Sequence, residues 1–154
     1  MRAPMLSALL STVAVAVPPP QSPPAQVVPP PAVAEAGWRD RAPTPGDWRY
    51  EPGAVSVARF GSAGAPRLSI SCDFAQRAVA LSVPGGAGAM TVRTAALTRA
   101  LTAGSGGAVR LDPRDPLLDA MGYSRGRIAV EQGAVALIVP AWPEILRVVE
   151  DCRG

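Results

Sequence analysis

The chain contains two cysteines, and their positions restrict the fold more than any other feature. Cys72 ends a run in which Leu68 and Ile70 share its face at every second position, which is typical of a strand with one buried side. Cys152 lies on the apolar stripe of a helical segment, together with Ile145, Val148 and Val149. We predict a disulfide between the two cysteines that closes a loop of about 80 residues and contributes roughly 4 kcal/mol. Two unlinked buried thiols are the alternative.

The first 16 residues have the features of a signal peptide. Met1 and Arg2 give a positive start, Met5–Val17 is uncharged and apolar, and Ala14-Val15-Ala16 offers a small-x-small cleavage site. The apolar run is shorter than the roughly 20 residues that cross a bilayer. The sequence therefore predicts export by the general secretory route to a periplasmic or secreted location, where a disulfide would be oxidised. An uncleaved anchor or a wrongly assigned start codon is the alternative.

Residues 17–45 are rich in proline, with runs at Pro18–Pro20, Pro23–Pro24 and Pro29–Pro31. Proline lacks the amide donor and fixes φ, so this composition favours an extended polyproline conformation. We predict a disordered spacer, with a docking motif for a proline-reading groove as the alternative. The folded domain is then expected over residues 46–154.

The net charge of +3 does not indicate nucleic-acid binding. All fifteen basic residues are arginine and the sequence lacks lysine, asparagine and histidine, a bias that follows from GC-rich coding. Within residues 46–154 the charges of the two signs are interspersed, without the basic patch that nucleic-acid binding requires.

Alternating apolar residues predict several strands in the domain. Residues 66–72 and 76–83 form one predicted hairpin, and residues 127–131 and 135–139 form a second around Gln132-Gly133. Val55 and Val57 suggest a further strand, in which Phe60 breaks the phase and indicates a bulge. Shorter strands are predicted at Met90–Val92 and Val109–Leu111, whereas residues 94–103 fit either a strand or a helical turn, with threonine favouring the strand.

Two helices are predicted near the end of the chain. Asp115 before Pro116 suits the N-cap of a short helix over residues 116–121. Pro143 and Glu144 suit the first turn of a helix that carries Cys152. The expected fold is mainly β (α+β), an antiparallel sheet or sandwich with the C-terminal helix packed on it.

Few residues of the sequence suggest chemistry. Asp112, Asp115 and Asp119 resemble a calcium cluster, but their spacing does not match an EF-hand loop, so capping is preferred. Two cysteines without histidine do not form an ordinary zinc site. The glycine runs at residues 85–88 and 104–107 lack the phosphate-loop lysine and the dinucleotide spacing. No metal and no cofactor are therefore expected.

Tyr123-Ser124-Arg125-Gly126-Arg127 is the most prominent polar motif. Ser124 lacks a histidine or lysine to take its proton, so we expect it to mark the entry to the next strand, with the arginines capping acidic groups. An anion- or partner-binding pocket built on Arg125 and Arg127 is the other possibility.

The large aromatic residues allow two interpretations. Trp48, Tyr50 and Trp142 could line a carbohydrate or peptide groove, but a domain with so few aromatic residues needs them in its core. We therefore expect packing, with the Trp142 ring over the sheet.

The layout resembles a group of small exported bacterial proteins of unknown function. The resemblance is carried by Gly46-Asp47-Trp48, a Leu-x-Ile-x-Cys strand, DPLLDAMGYSRGR and LIVPAWPEILRVVEDCR. It is looser to the invasion-associated locus B family and to periplasmic accessory proteins of the type VI secretion system. The resemblance implies a β-rich fold and an envelope role, and it carries over no catalytic residue.

The sequence therefore favours a non-enzymatic envelope-associated domain that binds a protein or an envelope component. A small anion- or sugar-binding protein or hydrolase that uses Arg125, Arg127 and the nearby aspartates is the alternative.

Overall fold

The computed structural model describes residues 37–154. The predicted signal peptide and residues 17–36 of the predicted spacer lie outside these residues, and both stay predictions. The described chain forms nine strands and two helices. In chain order they are β1 (Asp47–Glu51), β2 (Val55–Ser62), β3 (Ala65–Asp73), β4 (Ala78–Ser82), β5 (Met90–Arg93), β6 (Thr98–Leu101), β7 (Val109–Leu111), α1 (Pro116–Gly122), β8 (Arg127–Gln132), β9 (Val135–Pro140) and α2 (Pro143–Arg153).

The strands form two antiparallel sheets. The first has the order β1-β2-β3-β4-β7 and the second has the order β6-β5-β8-β9. β7 joins the edge of β4 after the chain has entered the second sheet, so the two sheets are interleaved in sequence. The mainly β fold with a helix packed on a sheet is thus confirmed.

The inward side chains of both sheets and both helices share one hydrophobic core. Phe60, Leu68 and Ile70 from the first sheet are fully buried, as are Val92 and Val130 from the second. Burying an aliphatic or aromatic side chain of this size contributes roughly 1.5–3 kcal/mol. Because the described strands of one sheet do not pair with those of the other, this shared core holds the sheets together.

β2 has the opposite phase from the one that its valines indicate. Ala58 and Phe60 are buried, whereas Val55 is 49% exposed. The register with β3 shifts between Phe60 and Gly61. The predicted bulge is therefore present, but it follows Phe60, which keeps the phase of Ser56 and Ala58. Gly61 has a φ of 141°, and a Cβ there would lie 2.6 Å from the carbonyl oxygen of Ala65. The bulge therefore requires glycine.

Both predicted hairpins are present, since β3 pairs with β4 and β8 pairs with β9. Residues 94–103, which fit either a strand or a helical turn, contain a turn followed by β6. The strand that the threonines favour is therefore present. In that turn the Thr94 hydroxyl accepts hydrogen bonds from the amides of Ala96 and Leu97. β1, in which tryptophan and tyrosine alternate with charged residues, is not among the predicted strands.

The two helices begin at Pro116 and Pro143, as predicted. The Asp115 side chain accepts a hydrogen bond from the Leu117 amide at 2.8 Å, which confirms the predicted N-cap of α1. α2 begins with Pro143 and has no side-chain cap at Trp142. Neither helix in residues 37–154 has the length and apolar character needed to span a bilayer.

α1 and α2 lie antiparallel against each other. Arg153 at the end of α2 donates a hydrogen bond to Asp119 near the start of α1, at 2.9 Å. At the other end, a Cβ on Gly122 would lie 2.2 Å from a methyl group of Leu146. The small residue at Gly122 therefore lets the end of α1 approach the start of α2 closely.

α2 is fixed to the first sheet by a covalent bond and by polar contacts. The predicted Cys72–Cys152 disulfide is confirmed, with a Cα–Cα distance of 5.3 Å. The Tyr50 hydroxyl donates a hydrogen bond to Asp151 at 2.7 Å, and the Arg147 guanidinium lies 4.5 Å from the centre of the Tyr50 ring. The Asp151 carboxylate, which accepts this hydrogen bond, raises the pKa of Tyr50 above its ordinary value. Both β1 and β3 thus hold the helix in place.

Residues 37–45 pack on the outer face of the second sheet, ahead of the predicted domain start at Gly46. Trp38 is 5% exposed and is buried with Ala129 and Ile138. The Thr44 amide donates to the Ile138 carbonyl at 2.8 Å, and the Thr44 hydroxyl accepts from the Ile138 amide at 2.9 Å. This part of the predicted spacer therefore belongs to the packed structure, because Trp38 covers an apolar patch of the sheet.

Candidate functional site

The loop between α1 and β8 holds the polar motif that the sequence singles out. Ser124 is 8% exposed. Its hydroxyl accepts a hydrogen bond from the Ala95 amide at 2.9 Å and donates one to the Arg127 carbonyl at 2.7 Å. Both partners are backbone groups, and neither can take a proton from the hydroxyl. This geometry fits the expected structural role at the start of β8.

The two arginines of this motif do not act together. Arg127 donates hydrogen bonds to the carbonyls of Arg39 and Arg41, both at 3.0 Å, and so holds the segment of residues 37–45. The expectation that it caps acidic groups is wrong, because its guanidinium binds these backbone carbonyls. Arg125 is exposed and forms no hydrogen bond or ion pair with residues 37–154. Of the predicted pair, only Arg125 is available to a ligand or partner.

The three aspartates around α1 do not form a single site. Asp112 accepts a hydrogen bond from the amide two residues on, and Asp119 pairs with Arg153. Asp115 binds both guanidinium nitrogens of Arg99, at 2.8 and 2.6 Å. Within residues 37–154 no group of three or more candidate metal ligands comes together. The aspartates fix backbone turns and pair with arginines.

The tryptophans differ in their environment. Trp48 is 5% exposed, lies 5.5 Å from the Phe60 ring and donates a hydrogen bond to the Pro140 carbonyl at 2.8 Å. Its predicted place in the core is confirmed. Trp142 is 41% exposed, so the prediction that its ring packs in the core is wrong. It is the residue before the first turn of α2, where the extended backbone directs the side chain out of the core.

Trp142 lies beside the loop that carries Tyr123 and Arg125. The Ala141 amide donates a hydrogen bond to the Gly126 carbonyl at 3.2 Å, which joins this loop to the start of α2. Tyr123 is 71% exposed and is the most exposed large apolar side chain of the described residues. We call Tyr123, Arg125 and Trp142 the aromatic surface. It combines two exposed rings with a positive charge that has no partner in residues 37–154, on the loop before β8 and at the start of α2.

A cleft of about 390 Å³ opens at the other end of α2. Its walls come from three segments: residues 76–77 of the β3–β4 turn, residues 112–114 before α1, and residues 152–153 of α2. We call it the arginine cleft, because Arg77, Arg114 and Arg153 contribute three guanidinium groups to its lining. Asp112 contributes the one carboxylate of this lining. The cleft therefore carries an excess of positive charge.

The three arginines of the cleft are held differently. Arg153 donates to the Pro113 carbonyl and to Asp119, both at 2.9 Å, so its guanidinium is fixed in orientation. Arg77 and Arg114 are exposed and form no hydrogen bond or ion pair through their side chains with residues 37–154. Two charged side chains are thus free to turn toward a third that is already in place.

The backbone at Arg77 is unusual. Its φ is 47°, and it is the one residue other than glycine with a positive φ in residues 37–154. The left-handed conformation costs roughly 1–2 kcal/mol for a residue with a Cβ, and glycine adopts it freely. An arginine therefore occupies a turn position that favours glycine.

A second cavity of about 260 Å³ lies on the outer side of β1 and β2. Arg49 and Arg59 line it, but Glu51 also lines it and forms an ion pair with Arg59. Its charge is therefore more nearly balanced than that of the arginine cleft.

Gln132 is a buried polar residue that the sequence analysis does not single out. Its side-chain amide donates to the carbonyls of Gly88 and Gly107, at 3.0 and 2.7 Å, and so ties the two glycine-rich loops together. Gly86 leaves no room for a Cβ, which would lie 2.4 Å from the Gln132 side-chain oxygen. These loops are part of the scaffold.

Comparisons of the chain with protein-family models, with curated proteins and with solved structures found no match. The aromatic surface and the arginine cleft are therefore the two candidate sites of the described residues.

Proposed function

We propose that this chain is a non-enzymatic, exported domain that binds another protein of the cell envelope through the aromatic surface. The observation that carries the proposal is the exposure of Tyr123 and Trp142, 71% and 41%, in a chain in which aromatic residues make up 5%. Tyrosine, tryptophan and arginine are the residue types that dominate the binding energy of protein interfaces. Arg125 completes this set.

The shape of the surface favours a protein over a small envelope component. Neither Tyr123 nor Trp142 lines the cavities described above, whereas small ligands bind in concave sites that bury most of their surface. Two exposed rings around a loop suit a partner that brings its own complementary pocket.

The disulfide supports the exported location. Disulfides form and persist in oxidising compartments and are rare in the cytosol, and Cys72–Cys152 agrees with the predicted signal peptide. The resemblance to exported accessory proteins indicates the same class of role. These observations support our proposal that the domain acts in the periplasm or outside the cell.

The bonding of Ser124 supports a non-enzymatic role. Its hydroxyl is shared between two backbone groups, and the sequence contains no histidine or lysine that could activate it. A hydrolase at this loop, the alternative function, would need Arg127, but the guanidinium of Arg127 is bound to the segment ahead of β1.

Site-specific crosslinking in intact cells tests the proposed surface. A photo-crosslinking residue at position 123 or 142 is expected to give the same discrete adduct. The matched control is position 74, because Phe74 is 41% exposed, the same fraction as Trp142, and lies in the β3–β4 turn. With the captured protein purified, Tyr123→Ser and Trp142→Ser should each weaken binding by about 30-fold or more, as expected for the loss of an interface anchor worth about 2 kcal/mol.

Two results would contradict the proposal. One is an adduct that forms equally well from position 74, since this would indicate a non-specific neighbour. The other is a purified pair whose dissociation constant is unchanged by both substitutions.

A further inference from the structure

The arginine cleft lies apart from the aromatic surface and is not needed for the proposed function. Three of its lining residues are arginines and one, Asp112, carries a carboxylate. One oxygen of that carboxylate already accepts a hydrogen bond from the amide of Arg114. We propose that this cleft binds a phosphate group, either as free phosphate or as a phosphomonoester carried by a small molecule or a lipid.

The number of arginines indicates the charge of the ligand. A guanidinium group presents paired donors that match the oxygens of a carboxylate or a phosphate. Because the sequence contains no lysine, the choice of arginine carries no information by itself. Arg153 is already ion-paired with Asp119, so Arg77 and Arg114 supply the charge that has no partner in residues 37–154. These two charges match a phosphate with two negative charges, and the remaining N–H groups of Arg153 add hydrogen-bond donors for its oxygens.

Arg153 supplies a positioned donor for this anion. Its Nε and one terminal nitrogen bond Pro113 and Asp119, so the remaining N–H groups keep a fixed direction. The disulfide adds to this rigidity, because Cys152 lines the cleft and is bonded to the central strand β3. This part of the site is organised before binding and so loses less conformational entropy when the ligand enters, whereas Arg77 and Arg114 become ordered on binding.

The left-handed backbone at Arg77 is a second, independent observation. A positive φ in a residue other than glycine is a form of local strain that concentrates at ligand-binding sites. Arg77 lines the cleft and has no side-chain partner in residues 37–154 that would account for its presence at this turn. An anionic ligand supplies the missing partner.

The volume of the cleft sets the size of the ligand. About 390 Å³ lies near the lower end of the range for small-molecule sites, which is roughly 300–1,000 Å³. This space suits a phosphate with a short organic group.

Calorimetric titration of the full exported chain tests the proposal. The probes are inorganic phosphate and glycerol 3-phosphate, with acetate at the same ionic strength as the singly charged control. Lipid-borne phosphate is tested with phosphatidylcholine vesicles that contain or lack phosphatidic acid. We expect saturable binding of at least one phosphate probe and weaker or no binding of acetate.

Three variants locate the binding. Arg77→Gly and Arg114→Ala should each weaken phosphate binding by about tenfold or more, because each removes charged hydrogen bonds. Arg77→Gly should not lower the thermal midpoint, since glycine suits the turn. Arg67→Ala is the matched control, because Arg67 is exposed, forms no hydrogen bond or ion pair through its side chain with residues 37–154 and lies toward the opposite end of β3. It should bind as the wild type does.

The outcomes separate the possibilities. Binding of free phosphate that Arg77→Gly weakens supports a soluble ligand, and vesicle binding with the same sensitivity supports a phospholipid. Absence of saturable binding to every phosphate probe overturns the proposal. An equal loss in Arg67→Ala also overturns it, because the effect would then follow from net charge alone.

Discussion

At the scale of single residues, Asp115 shows how one carboxylate joins two parts of the fold. It caps α1 through the Leu117 amide and also binds both nitrogens of Arg99 on β6. The hydrogen bonds from Arg99 are the main reason why the pKa of Asp115 is lowered. The sequence predicts the cap, because an aspartate before a proline is a local signal. It does not predict the arginine, because only the fold brings β6 beside α1.

The lowered pKa gives a pH dependence with a definite sign. A carboxyl group with a lower pKa in the folded state stabilises the protein above its unfolded-state pKa of about 3.9, and this contribution is lost as the pH falls through the folded-state value. Asp115→Ala should reduce the free energy of unfolding at pH 7 by about 2 kcal/mol, through loss of the cap and of the ion pair. Asp115→Asn keeps the cap and should cost about 1 kcal/mol.

Urea unfolding at pH 7 and pH 3 measures these effects. Both variants should lose less stability than the wild type over this pH interval. If Asp115→Asn loses as much stability between pH 7 and pH 3 as the wild type does, Arg99 does not stabilise the ionised carboxylate.

At the scale of elements, the sequence predicts a helix or strand best where its apolar pattern continues over several residues and the positions on one face are uniformly apolar. The β3–β4 and β8–β9 hairpins and α2 meet this condition, and the predicted disulfide follows from the same two faces. The phase of β2 is predicted wrongly, because Ser56 is buried while the neighbouring Val55 is exposed. The exposure of the Trp142 side chain is also not predicted. Trp142 precedes the first turn of α2 and has an extended backbone, so the helical period does not apply to it.

The disulfide is expected to stabilise the docking of α2. The double variant Cys72→Ala/Cys152→Ala should lower the free energy of unfolding by about 2–4 kcal/mol, because the unfolded chain regains the entropy of a loop with a sequence separation of 80. Hydrogen exchange should increase more in α2 than in β8 and β9, which the bond does not join. A reducing agent should destabilise the wild type by a similar amount and leave the double variant unchanged. Equal stability of the oxidised wild type and the variant would contradict this role.

At the scale of the whole molecule, the arginine cleft could not be predicted from local patterns. Its residues come from three segments separated by about 35 to 75 positions, and each segment alone has the features of an ordinary turn or helix end. The predicted disulfide does place the end of α2 on β3, so one of the three contributions to the cleft follows from the sequence. The position of residues 112–114 depends on β7 pairing with β4, and only the structure gives this pairing.

Residues 37–45 are expected to protect the second sheet. A chain that begins at Gly46 would uncover Ala129 and Ile138 and remove two hydrogen bonds from the edge strand β9. We expect a loss of about 2–3 kcal/mol of unfolding free energy and concentration-dependent self-association, because an uncovered strand edge pairs with other chains. Chemical denaturation and sedimentation velocity measure the two effects, with a chain that begins at Gly37 as the control. A stable monomer that begins at Gly46 would contradict this expectation.

α2 has eleven residues and a length of about 16 Å, and it separates the aromatic surface from the arginine cleft. One of its ends is bonded covalently to β3 and the other is joined to the loop before β8. Energetic coupling between two sites needs an element with two alternative arrangements. A helix that is attached at both ends has only one arrangement. Occupancy of one surface should therefore leave the dissociation constant at the other unchanged, and the proposed partner and the proposed anion would then bind as two independent, additive events.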